Sequence, residues 1–404
     1  MSELSYLEKL LDGVEVEWLP LGEVSALRRG RVMSKGYLTE NFGPYPVYSS
    51  QTANNGKIGS INTFDFDGEY ISWTTDGANA GTVFYRTGKF SITNVCGLIT
   101  LKSKYSLIYK FLFYWLTIEA KKHVYSGMGN PKLMSHQVEN IPVPIPCPDN
   151  PEKSLAIQSE IVRILDTFSA LTAELTAELN MRKKQYNYYR DQLLSFNTED
   201  VPHLPMGQKD IGEFIRGGTF QKKDFIDAGV GCIHYGQIYT YYGTYTEKTK
   251  TYISTALAKK CKKAQKGDLI IATTSENDED VCKAVAWLGS EDIAVSSDAC
   301  IYKHNLNPKY VSYFFQTEQF QNQKRQYITG AKVRRVNADN LSKILIPVPS
   351  MEIQERIVSI LDKFDTLTNS ITEGLPREIE LRQKQYEYYR DLLFSFPKPE
   401  TVSN

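Results

Sequence analysis

The pattern of hydrophobic and polar positions divides this chain of 404 residues into four regions. In regions 150–198 and 350–404, apolar residues recur at alternating steps of four and three, a pattern typical of an amphipathic helix that packs on another helix. Regions 1–149 and 199–349 instead carry short apolar runs separated by glycine-bearing turns. The patterns predict two globular domains and two long helical regions, one of which follows each domain.

The first helical region has a well-marked start and an irregular middle. Asn150, Pro151 and Glu152 predict a helix amino terminus, because the asparagine can cap, the proline needs no amide hydrogen and the acid faces the positive end of the dipole. The tetrapeptide Thr-Ala-Glu-Leu then occurs in tandem from 172 to 179. Its two successive steps of four predict a stutter in the apolar seam. The seam residues expected to pack are Leu171, Leu175, Leu179 and Tyr186.

The second helical region repeats the first. IVRILDTF at 161–168 returns as IVSILDKF at 357–364, and QYNYYRDQLLSF at 185–196 returns as QYEYYRDLLFSF at 385–396. Two matched seams of equal length predict an antiparallel coiled coil between the regions. The alternative is that each helix packs only on its neighbouring domain. The seam residues expected in this copy are Phe364, Leu367, Ile371 and Tyr386.

Two features set the expected limits of the helices in the second copy. Ser350 is expected to cap the amino terminus, because a serine hydroxyl can accept a hydrogen bond from an amide of the first turn. Gly374 and Pro376 lie inside the helical pattern. Since proline and glycine disfavour a helix interior, the sequence predicts two helical segments here.

The two globular domains share one order of predicted elements. Both contain strand patterns, then helical patterns, then a glycine-bearing basic loop and a proline-bounded strand. This order predicts α+β domains with a twisted, partly open sheet and, because the frame is duplicated, a pseudo-two-fold arrangement. The segments concerned are β-rich runs at 68–86, 229–245 and 267–277, helical patterns at 109–125 and 307–327, and the first and second basic loops at 126–135 and 329–337. Some of Tyr239, Tyr241, Tyr242 and Tyr245 are expected on sheet faces.

Composition is that of a soluble globular protein, with 41% hydrophobic and 23% charged residues. The longest apolar run, 107–118, is too short to cross a bilayer, and the amino terminus is acidic and polar rather than a signal peptide. A cytoplasmic location without membrane contact is therefore expected. The six cysteines form no Cys-x-x-Cys pair, which favours reduced core thiols over a zinc site.

The net charge is zero, but basic residues are clustered, and the distribution matters more than the sum. The cluster from 324 to 335 combines arginines with Gly330, which favours phosphate contact by a loop whose backbone can approach a ligand closely. For the cluster from 259 to 266 a solvated face is an equally good interpretation. The cluster from 324 to 335 comprises Lys324, Arg325, Lys332, Arg334 and Arg335, and the cluster from 259 to 266 comprises Lys259, Lys260, Lys262, Lys263 and Lys266. The counterparts in the first domain are Lys121, Lys122, His123 and Lys132.

Small polar residues follow predicted strands in both domains. Such side chains can reach base edges in a DNA groove, although ordinary turn chemistry is an equal alternative for any one of them. The DNA-binding candidates are Gln51, Asn54, Thr74, Thr75, Asp76, Asn79, Gly129, Asn130 and Lys132 in the first domain, and His234, Gln237, Thr273, Thr274, Ser275, Asn277, Lys332, Arg334 and Arg335 in the second.

No catalytic set is recognisable in the sequence. The segment GTVFYRTGKF at 81–90 lacks the spacing and the hydroxyl of a phosphate-binding loop. The segment NPKY at 307–310 lacks the second proline of the Asn-Pro-Pro-Tyr signature found in enzymes that methylate exocyclic amines, and is typical of a helix start. We therefore expect no catalysis, no metal and no cofactor on this chain.

The repeated motifs IQxxIVxILDxF (157–168 and 353–364) and QYxYYRDxLxSF, with the tandem Thr-Ala-Glu-Leu, resemble those of the specificity subunit of type I restriction-modification systems. The resemblance implies that each domain is a target-recognition domain for one half of a bipartite, asymmetric site in double-stranded DNA. It implies that the helices set the spacer and dock two methyltransferase subunits for adenine methylation, and that a restriction and translocase subunit joins for cleavage. S-adenosylmethionine, ATP and Mg would be bound by those partners.

Two other interpretations stay open at this level. A non-catalytic scaffold could use the duplicated helices to tether identical protein partners, while its domains bind peptides. A stand-alone DNA-modifying enzyme is disfavoured by the missing catalytic motifs. Salt-dependent affinity for DNA would separate the first alternative from a DNA-recognition subunit.

Overall fold

A computed structural model of the chain describes Leu10, residues 13–127 and residues 129–397. The chain forms two compact units. Unit 1 comprises residues 1–173 and 381–404, and unit 2 comprises residues 174–380. Each unit thus contains one globular domain with parts of both helical regions.

The domain boundaries expected from the sequence, at 149/150, 198/199 and 349/350, follow a different partition and stay a prediction. Parts of the outer regions lie outside the described residues, and so does one position of the first basic loop. These positions are 1–9, 11–12, Met128 and 398–404.

Unit 1 is built around a six-stranded sheet with the order β2-β7-β5-β6-β3-β4, beside a separate pair of β1 with β8. Strand β5 lies between β6 and β7 and is antiparallel to both. Its inward residues Ile71 and Trp73 are buried, which agrees with the β-rich pattern at 68–86. The strands are β1 Val16–Pro20, β2 Ser25–Arg29, β3 Phe42–Tyr48, β4 Lys57–Ile61, β5 Phe66–Thr74, β6 Val83–Ile92, β7 Cys96–Leu101 and β8 Pro142–Pro146.

The helices of this domain include the one predicted at 109–125. It begins at Tyr109 and ends at Glu119, and a 3₁₀ turn follows. Phe111, Trp115 and their neighbours on one face are buried against the sheet, as the apolar spacing requires. The helices are α1 Leu21–Val24, α2 Lys35–Glu40, α3 Tyr109–Glu119 and α4 Ser135–Val138, with 3₁₀ turns at Ala53–Gly56 and Ala120–His123.

The first helical region forms one uninterrupted helix, α5, over Pro151–Leu193. Its predicted start is confirmed, because the Asn150 side chain accepts a hydrogen bond from the Lys153 amide at 3.0 Å. The tandem tetrapeptide lies inside this helix. The leucines Leu171, Leu175 and Leu179 are half-buried there.

Unit 2 contains a five-stranded sheet in the order β10-β19-β15-β17-β12 and a four-stranded sheet in the order β13-β11-β18-β14. Two short pairs, β16 with β20 and β21 with β9, complete it. The strands are β9 His203–Pro205, β10 Gly212–Arg216, β11 Val230–Ile233, β12 Tyr245–Thr246, β13 Thr251–Ile253, β14 Lys263–Ala264, β15 Leu269–Ala272, β16 Thr274–Ser275, β17 Ala284–Trp287, β18 Ile293–Val295, β19 Ala299–His304, β20 Arg334–Arg335 and β21 Leu345–Pro347.

The β-rich interpretation of 229–245 is partly wrong. After β11 the chain forms a helix, α6, because His234 and Gln237 cap its amino terminus. Tyr239 therefore lies on a helix, and only Tyr245 of the four tyrosines lies in a strand. The predicted helical pattern at 307–327 is confirmed as two helices. Helices here are α6 Tyr235–Thr240, α7 Thr255–Ala258, α8 Pro308–Phe314, α9 Glu318–Arg325 and α10 Ala338–Leu341, with a 3₁₀ turn at Lys222–Asp224.

The second helical region forms two helices, α11 over Met351–Asn369 and α12 over Gly374–Leu393. This confirms the predicted interruption, and Ser350 caps α11 as expected. Ile371 was expected in the seam, and that expectation is wrong. The chain leaves the helix before it, so this side chain is 78% exposed.

Within each unit, segments of the two helical regions contact each other through equivalent aromatic pairs. In unit 1 the rings of Phe168 and Tyr389 are stacked with centroids 5.2 Å apart. In unit 2 the rings of Phe364 and Tyr189 are stacked at 5.7 Å. The helices also bury residues in the cores of their domains, such as Ile161 in unit 1. The antiparallel coiled coil as a whole stays a prediction.

The cysteines are free, and five of the six are buried, as expected for core thiols, whereas Cys147 is half-buried. No helix in the described part of the chain is long and apolar enough to cross a membrane. The described residues also contain no group of three or more His, Cys, Asp or Glu side chains that could hold a metal ion.

Candidate nucleic-acid interface

One carboxylate anchors each domain to the helix that follows it. In unit 1, Asp166 accepts hydrogen bonds from Lys110 Nζ and from the Tyr114 hydroxyl, both at 2.6 Å. Burial raises the pKa of Tyr114, and the bond to Asp166 raises it further, so the phenol stays a donor. The corresponding residues of unit 2 are Lys309, Tyr313 and Asp362, with both distances at 2.7 Å.

A buried glutamine, about two helical turns before each of these carboxylates, makes a second contact that is duplicated between the units. The Gln158 side-chain oxygen accepts the Ile108 amide at 2.9 Å in unit 1, and Gln354 accepts the Asn307 amide at 2.9 Å in unit 2. Both glutamines are almost fully buried. Since the donors lie at the start of α3 and α8, the same contact orients each domain on its helix.

In unit 2 the structure brings the polar turn and the second basic loop together. Strands β16 and β20 pair antiparallel, with Thr274 opposite Arg335 and Ser275 opposite Arg334. The loop is closed by backbone hydrogen bonds in both directions between Thr329 and Arg335 at 2.9 Å. We call these paired strands with their connecting loop the second ribbon.

Unit 1 has the same backbone arrangement with different side chains. Lys132 bridges to Asp76 of the turn and to Tyr125 at the base of the first basic loop. The Leu133 amide donates to the Thr75 carbonyl at 2.9 Å, and in unit 2 the Val336 amide donates to the Thr273 carbonyl at 3.1 Å. Two segments that share no sequence motif therefore meet in the same way in both domains. We call the arrangement around Lys132 the first ribbon.

Arg334 is the most constrained cation of the second ribbon. Its Nε lies 2.8 Å from Asp278 Oδ1, and its Nη1 donates to the Gly330 carbonyl at 2.6 Å. Gly330 has φ +92°, and a Cβ there would lie 2.1 Å from the Val333 oxygen. The basic loop therefore needs glycine at this position. Arg335 and Lys332 are exposed, and the Arg335 guanidinium has no hydrogen-bonding or ionic partner among the described residues.

Lys324 is not a phosphate contact, contrary to the sequence interpretation. Its side chain is fully buried, and Nζ donates to the carbonyls of Glu279 at 3.0 Å and Val281 at 2.8 Å. Burial lowers the pKa of Lys324. The ammonium thus fixes the loop that carries Asp278.

His234 and Gln237 were expected to reach a base edge, but both are buried and bonded internally. The Gln237 oxygen accepts the His234 amide at 2.9 Å, and its nitrogen donates to Thr251 Oγ1 at 3.0 Å. His234 Nδ1 accepts the Gly236 amide at 3.2 Å. These contacts cap α6, so the residues are structural.

The threonines of the first turn are also turned inward. Thr74 and Thr75 are fully buried, and their hydroxyls bond to the Asn79 carbonyl and to Asp76. Asn79 itself donates to the Ser50 carbonyl at 3.1 Å. The buried hydroxyls shape the turn, because their hydrogen bonds are already made and no base edge can reach them.

The threonines of the second turn are held in a similar way. Thr273 is half-buried and donates to the Asp298 carbonyl at 3.0 Å, while Thr274 is buried. Ser275 is half-buried on the second ribbon. A cavity of about 290 Å³ lies beside this turn, lined by Thr273, Asp298 and Arg335 among others.

The exposed candidates of unit 1 lie on two loops. Asn54 is exposed with φ +50°, in a loop where the Gln51 side chain donates to the Lys57 carbonyl at 2.6 Å. Gly129, Asn130 and Lys132 are exposed on the first basic loop. These residues keep solvent-facing polar groups that a ligand could reach.

Sequence reasoning missed Arg86, which supports the Asn54 loop from inside. Its guanidinium donates to the Asn55 carbonyl at 2.8 Å and to Ser72 at 3.0 Å, and lies 3.6 Å from the Tyr48 ring centroid. Burial lowers the pKa of Arg86 to about 10. No motif marks this residue. Its place among alternating aromatic residues of a strand pattern is the one signal that could have indicated an inward cation.

In the cluster from 259 to 266, four of the five lysines are exposed and Lys263 is half-buried. A solvated face therefore accounts for the cluster as well as phosphate contact does. Asn277, another turn candidate, is exposed and accepts the Asp280 amide at 2.8 Å.

The sequence matches the profile of a family described as the type I restriction modification DNA specificity domain, over residues 13–182 and 205–381. It is 41% identical to the type I restriction enzyme EcoR124I/EcoR124II specificity subunit of Escherichia coli over 428 aligned residues, which cover 100% of both chains. It is 33% identical to a putative type I restriction enzyme specificity subunit of Haemophilus influenzae, covering 97% of this chain and 98% of that one.

The fold is similar to that of solved chains of low sequence identity. A type I restriction-modification S subunit from M. genitalium aligns with a TM-score of 0.55 at 14% identity, covering 96% of this chain and 98% of that chain. A chain from a structure on complex assembly and conformational transition of the type I R-M system aligns with a TM-score of 0.56 at 13% identity, covering 94% and 97%. At this identity the likeness concerns the fold alone.

Proposed function

The chain belongs to the family of type I restriction-modification DNA specificity subunits, which are non-catalytic DNA-recognition proteins, and from this premise we propose how its two domains divide the work. Each domain reads one half of a bipartite, asymmetric site in double-stranded DNA. The observation that carries the proposal is that both domains present a basic loop against a polar turn with the same backbone pairing.

The ribbons suit the DNA groove in size and in charge. A two-stranded ribbon fits the major groove of B-DNA, and lysine and arginine on it can neutralise phosphates. Arg335, Lys332 and Lys132 are exposed on the two loops. The ribbons differ in nearly every side chain, which is what two domains with different half-sites require.

The helical regions set the distance between the half-sites in this proposal. They do so as an antiparallel coiled coil, for which the equivalent pairs Phe168 with Tyr389 and Phe364 with Tyr189 are supporting contacts. Helix α5 has 43 residues and is therefore about 65 Å long. The anchors Asp166 and Asp362 keep each domain fixed to its helix.

The duplicated helices also provide two equal docking surfaces for two methyltransferase subunits. Tyr188 and Tyr388 are 61% and 54% exposed at equivalent positions of the repeat, and Met181 and Leu381 form a second equivalent exposed pair. Apolar side chains that are exposed at matched positions favour a shared partner. These partners bring S-adenosylmethionine, and a translocase and nuclease subunit brings ATP and Mg for cleavage.

DNA recognition is tested by a mobility shift of the chain assembled with its methyltransferase partner, at two salt concentrations. We expect affinity that falls steeply as salt rises, because each phosphate contact releases counterions. Sequencing methylated DNA from cells that carry the complete system should then show one motif with two specific halves. Salt-independent binding, or methylation without a bipartite motif, would contradict the proposal.

The spacer role is tested by inserting a third Thr-Ala-Glu-Leu after residue 179. Four residues lengthen a helix by about 6 Å, against about 3.4 Å per base-pair step, so we expect the spacer to grow by about one or two base pairs. Both half-sites should stay unchanged, which serves as the internal control. An unchanged spacer length would contradict the proposal that the helices set the distance between the half-sites.

A further inference from the structure

Two adjacent arginines of the second ribbon, Arg334 and Arg335, have different surroundings. Successive residues of a strand point to opposite faces, so Arg334 and Arg335 present their side chains in different directions. Arg335 is exposed with no ionic partner among the described residues. Arg334 has a side chain that is 35% exposed and is held by Asp278 and by the Gly330 carbonyl.

The hydrogen bonds of Arg334 leave one edge of its guanidinium available. Nε lies 2.8 Å from Asp278 Oδ1, with which the guanidinium forms an ion pair. Nη1 has two hydrogens, and the Gly330 carbonyl accepts one of them at 2.6 Å. The second Nη1 hydrogen and the Nη2 hydrogens remain for a ligand. Neighbouring guanidinium donors of this kind can pair with guanine O6 and N7 in the major groove.

The backbone that carries the partners of Arg334 is anchored, although the Asp278 side chain itself is 55% exposed. The loop that carries Asp278 is anchored by the buried ammonium of Lys324, which donates to the carbonyls of Glu279 and Val281. The loop is also closed by Asn277, which accepts the Asp280 amide at 2.8 Å. A preorganised fork loses less side-chain entropy on binding than a mobile one.

We propose that Arg334 reads a guanine in the half-site recognised by unit 2, that Asp278 is its positioning residue, and that Arg335 contacts phosphate. This inference rests on the proposed function and names the side chain that supplies specificity there. A phosphate contact needs only a positive charge, whereas Arg334 is oriented by an acid that offsets its charge. The acid orients the guanidinium but reduces its net positive charge. This favours recognition of a base edge over attraction to the DNA phosphates.

Unit 1 offers no equivalent arginine. The position that matches Arg334 by backbone pairing is Pro131, whose carbonyl accepts the Gly77 amide at 3.0 Å. Proline has no side-chain donor. The inferred guanine contact therefore belongs to one half-site only, and the other half-site is an internal control in every experiment.

The test uses the chain assembled with its methyltransferase partner and profiles methylated sites for four variants. Arg334→Lys keeps the charge but removes the fork, and we expect about 10- to 100-fold less discrimination at one base pair of one half-site. Asp278→Ala should relax the same base pair. Asp278→Asn keeps an oxygen atom beside Nε but removes the charge, and it should stay closer to wild type, which a purely electrostatic role of Asp278 does not predict.

Arg335→Ala is the matched control on the adjacent residue. It should weaken binding to all sequences, reduce the salt slope by about 1 and leave the motif unchanged. An unchanged motif in Arg334→Lys, equal weakening of all sites by that variant, or relaxation at different base pairs in Arg334→Lys and Asp278→Ala would each overturn the inference.

Failure of the inference and failure of the proposed function give different results. If the proposed function is wrong, the wild-type complex itself shows no bipartite motif. If only the inference is wrong, the wild-type motif is present and the Arg334 and Asp278 variants give one of the three contradicting results above. Continued recognition of the unit 1 half-site by each variant shows that the complex is assembled and folded.

Discussion

The two ribbons share a backbone and differ in what they display. In both, a basic loop bridges to the turn after the central strand, and Lys132 occupies the position that Arg335 has in unit 2. The first ribbon has Asp76 in the turn, and the second has Ser275 opposite an arginine held by Asp278. If the ribbons contact DNA as proposed, recognition can change through side chains alone, because the pairing that places them depends on backbone hydrogen bonds.

The cores beneath the ribbons show the same principle in apolar residues. In unit 1 the large Trp73 lies opposite Gly97 on β7, and in unit 2 the medium-sized Ile271 lies opposite Cys300 on β19. The two pairs occupy equivalent positions, but one combines a large residue with glycine and the other combines two residues of intermediate size. The central strand pairs with the same neighbour in both domains, β5 with β7 and β15 with β19, although the packed side chains differ in size.

The largest effect should come from Gly97→Ala. A Cβ at this position would lie 2.1 Å from the Trp73 ring, so the substitution overpacks the sheet and should lower the free energy of unfolding of unit 1 by about 3 kcal/mol. Hydrogen exchange resolved by residue would locate the loss in β5 and β7. Cys300→Ala in unit 2, a change to a smaller residue, should cost only about 1 kcal/mol.

A second substitution makes the Gly97 prediction specific. Trp73→Leu should restore part of the lost stability in the Gly97→Ala background, although it is destabilising alone. Independent, additive losses would show that the tryptophan and the glycine are not coupled.

The anchors should be unequal. In unit 2 the Lys309 and Asp362 side chains are 20% and 28% exposed, whereas Lys110 and Asp166 in unit 1 are both 37% exposed. Asp362→Ala should cost about 2 kcal/mol, because it strips the buried Tyr313 hydroxyl of its acceptor. Asp166→Ala should cost less because its ion pair is better solvated. Thermal unfolding of both variants, with Asp→Asn controls, checks the order, and an equal loss would refute it.

The turns use different supports, and this difference can be measured. Lys324→Met should leave two carbonyls unsatisfied and loosen residues 277–281, with a loss of about 1 to 2 kcal/mol. In unit 1, Thr74→Val removes the hydroxyl that accepts the Thr82 amide at 3.2 Å and should loosen residues 75–82 by about 1 kcal/mol. Hydrogen exchange at each turn is the measurement. Loosening of both turns by either variant would contradict separate supports.

The smallest effect depends on pH and involves unit 2. Burial lowers the pKa of His304 from 6.5 to about 4, and its Nδ1 accepts the Leu306 amide at 3.2 Å. As pH falls from about 6.5 towards about 4, the unfolded chain binds a proton that the folded chain does not bind, so stability decreases. At about pH 5.5 we expect a loss of about 1 kcal/mol relative to about pH 7.5.

The control for this prediction is His304→Asn, which retains an acceptor and does not titrate. Comparing both proteins by chemical denaturation at several pH values isolates the histidine from other titrating groups. If the free energy of unfolding depends on pH in the same way in both proteins, His304 does not cause the effect.

Residues with periodic or local signals were predictable from the sequence. The helical regions, the interruption before Gly374 and the caps at Asn150 and Ser350 follow from patterns within a few positions of the chain. The exposed basic residues Arg335 and Lys332 were also found, because a charged loop with glycine is a local feature. Their role in binding DNA stays a proposal.

Residues whose role depends on distant partners were not predictable. Lys324 lies in a basic run, yet it is buried because the carbonyls of Glu279 and Val281 accept its hydrogens. Its place four residues after buried Phe320 was the available signal, since i and i+4 share a helix face. His234 looked like a ligand contact because no local pattern reveals that Gln237 caps the same turn.

The tandem tetrapeptide in α5 has a consequence for how this protein can change its length. Because α5 is continuous from Pro151 to Leu193, an insertion rotates every later side chain about the helix axis by about 100° per residue. Four residues leave the seam only about 40° from its former direction, whereas five turn it by about 140°. Insertion of one copy of the motif therefore nearly preserves the direction in which the seam faces, whereas insertion of a single residue does not.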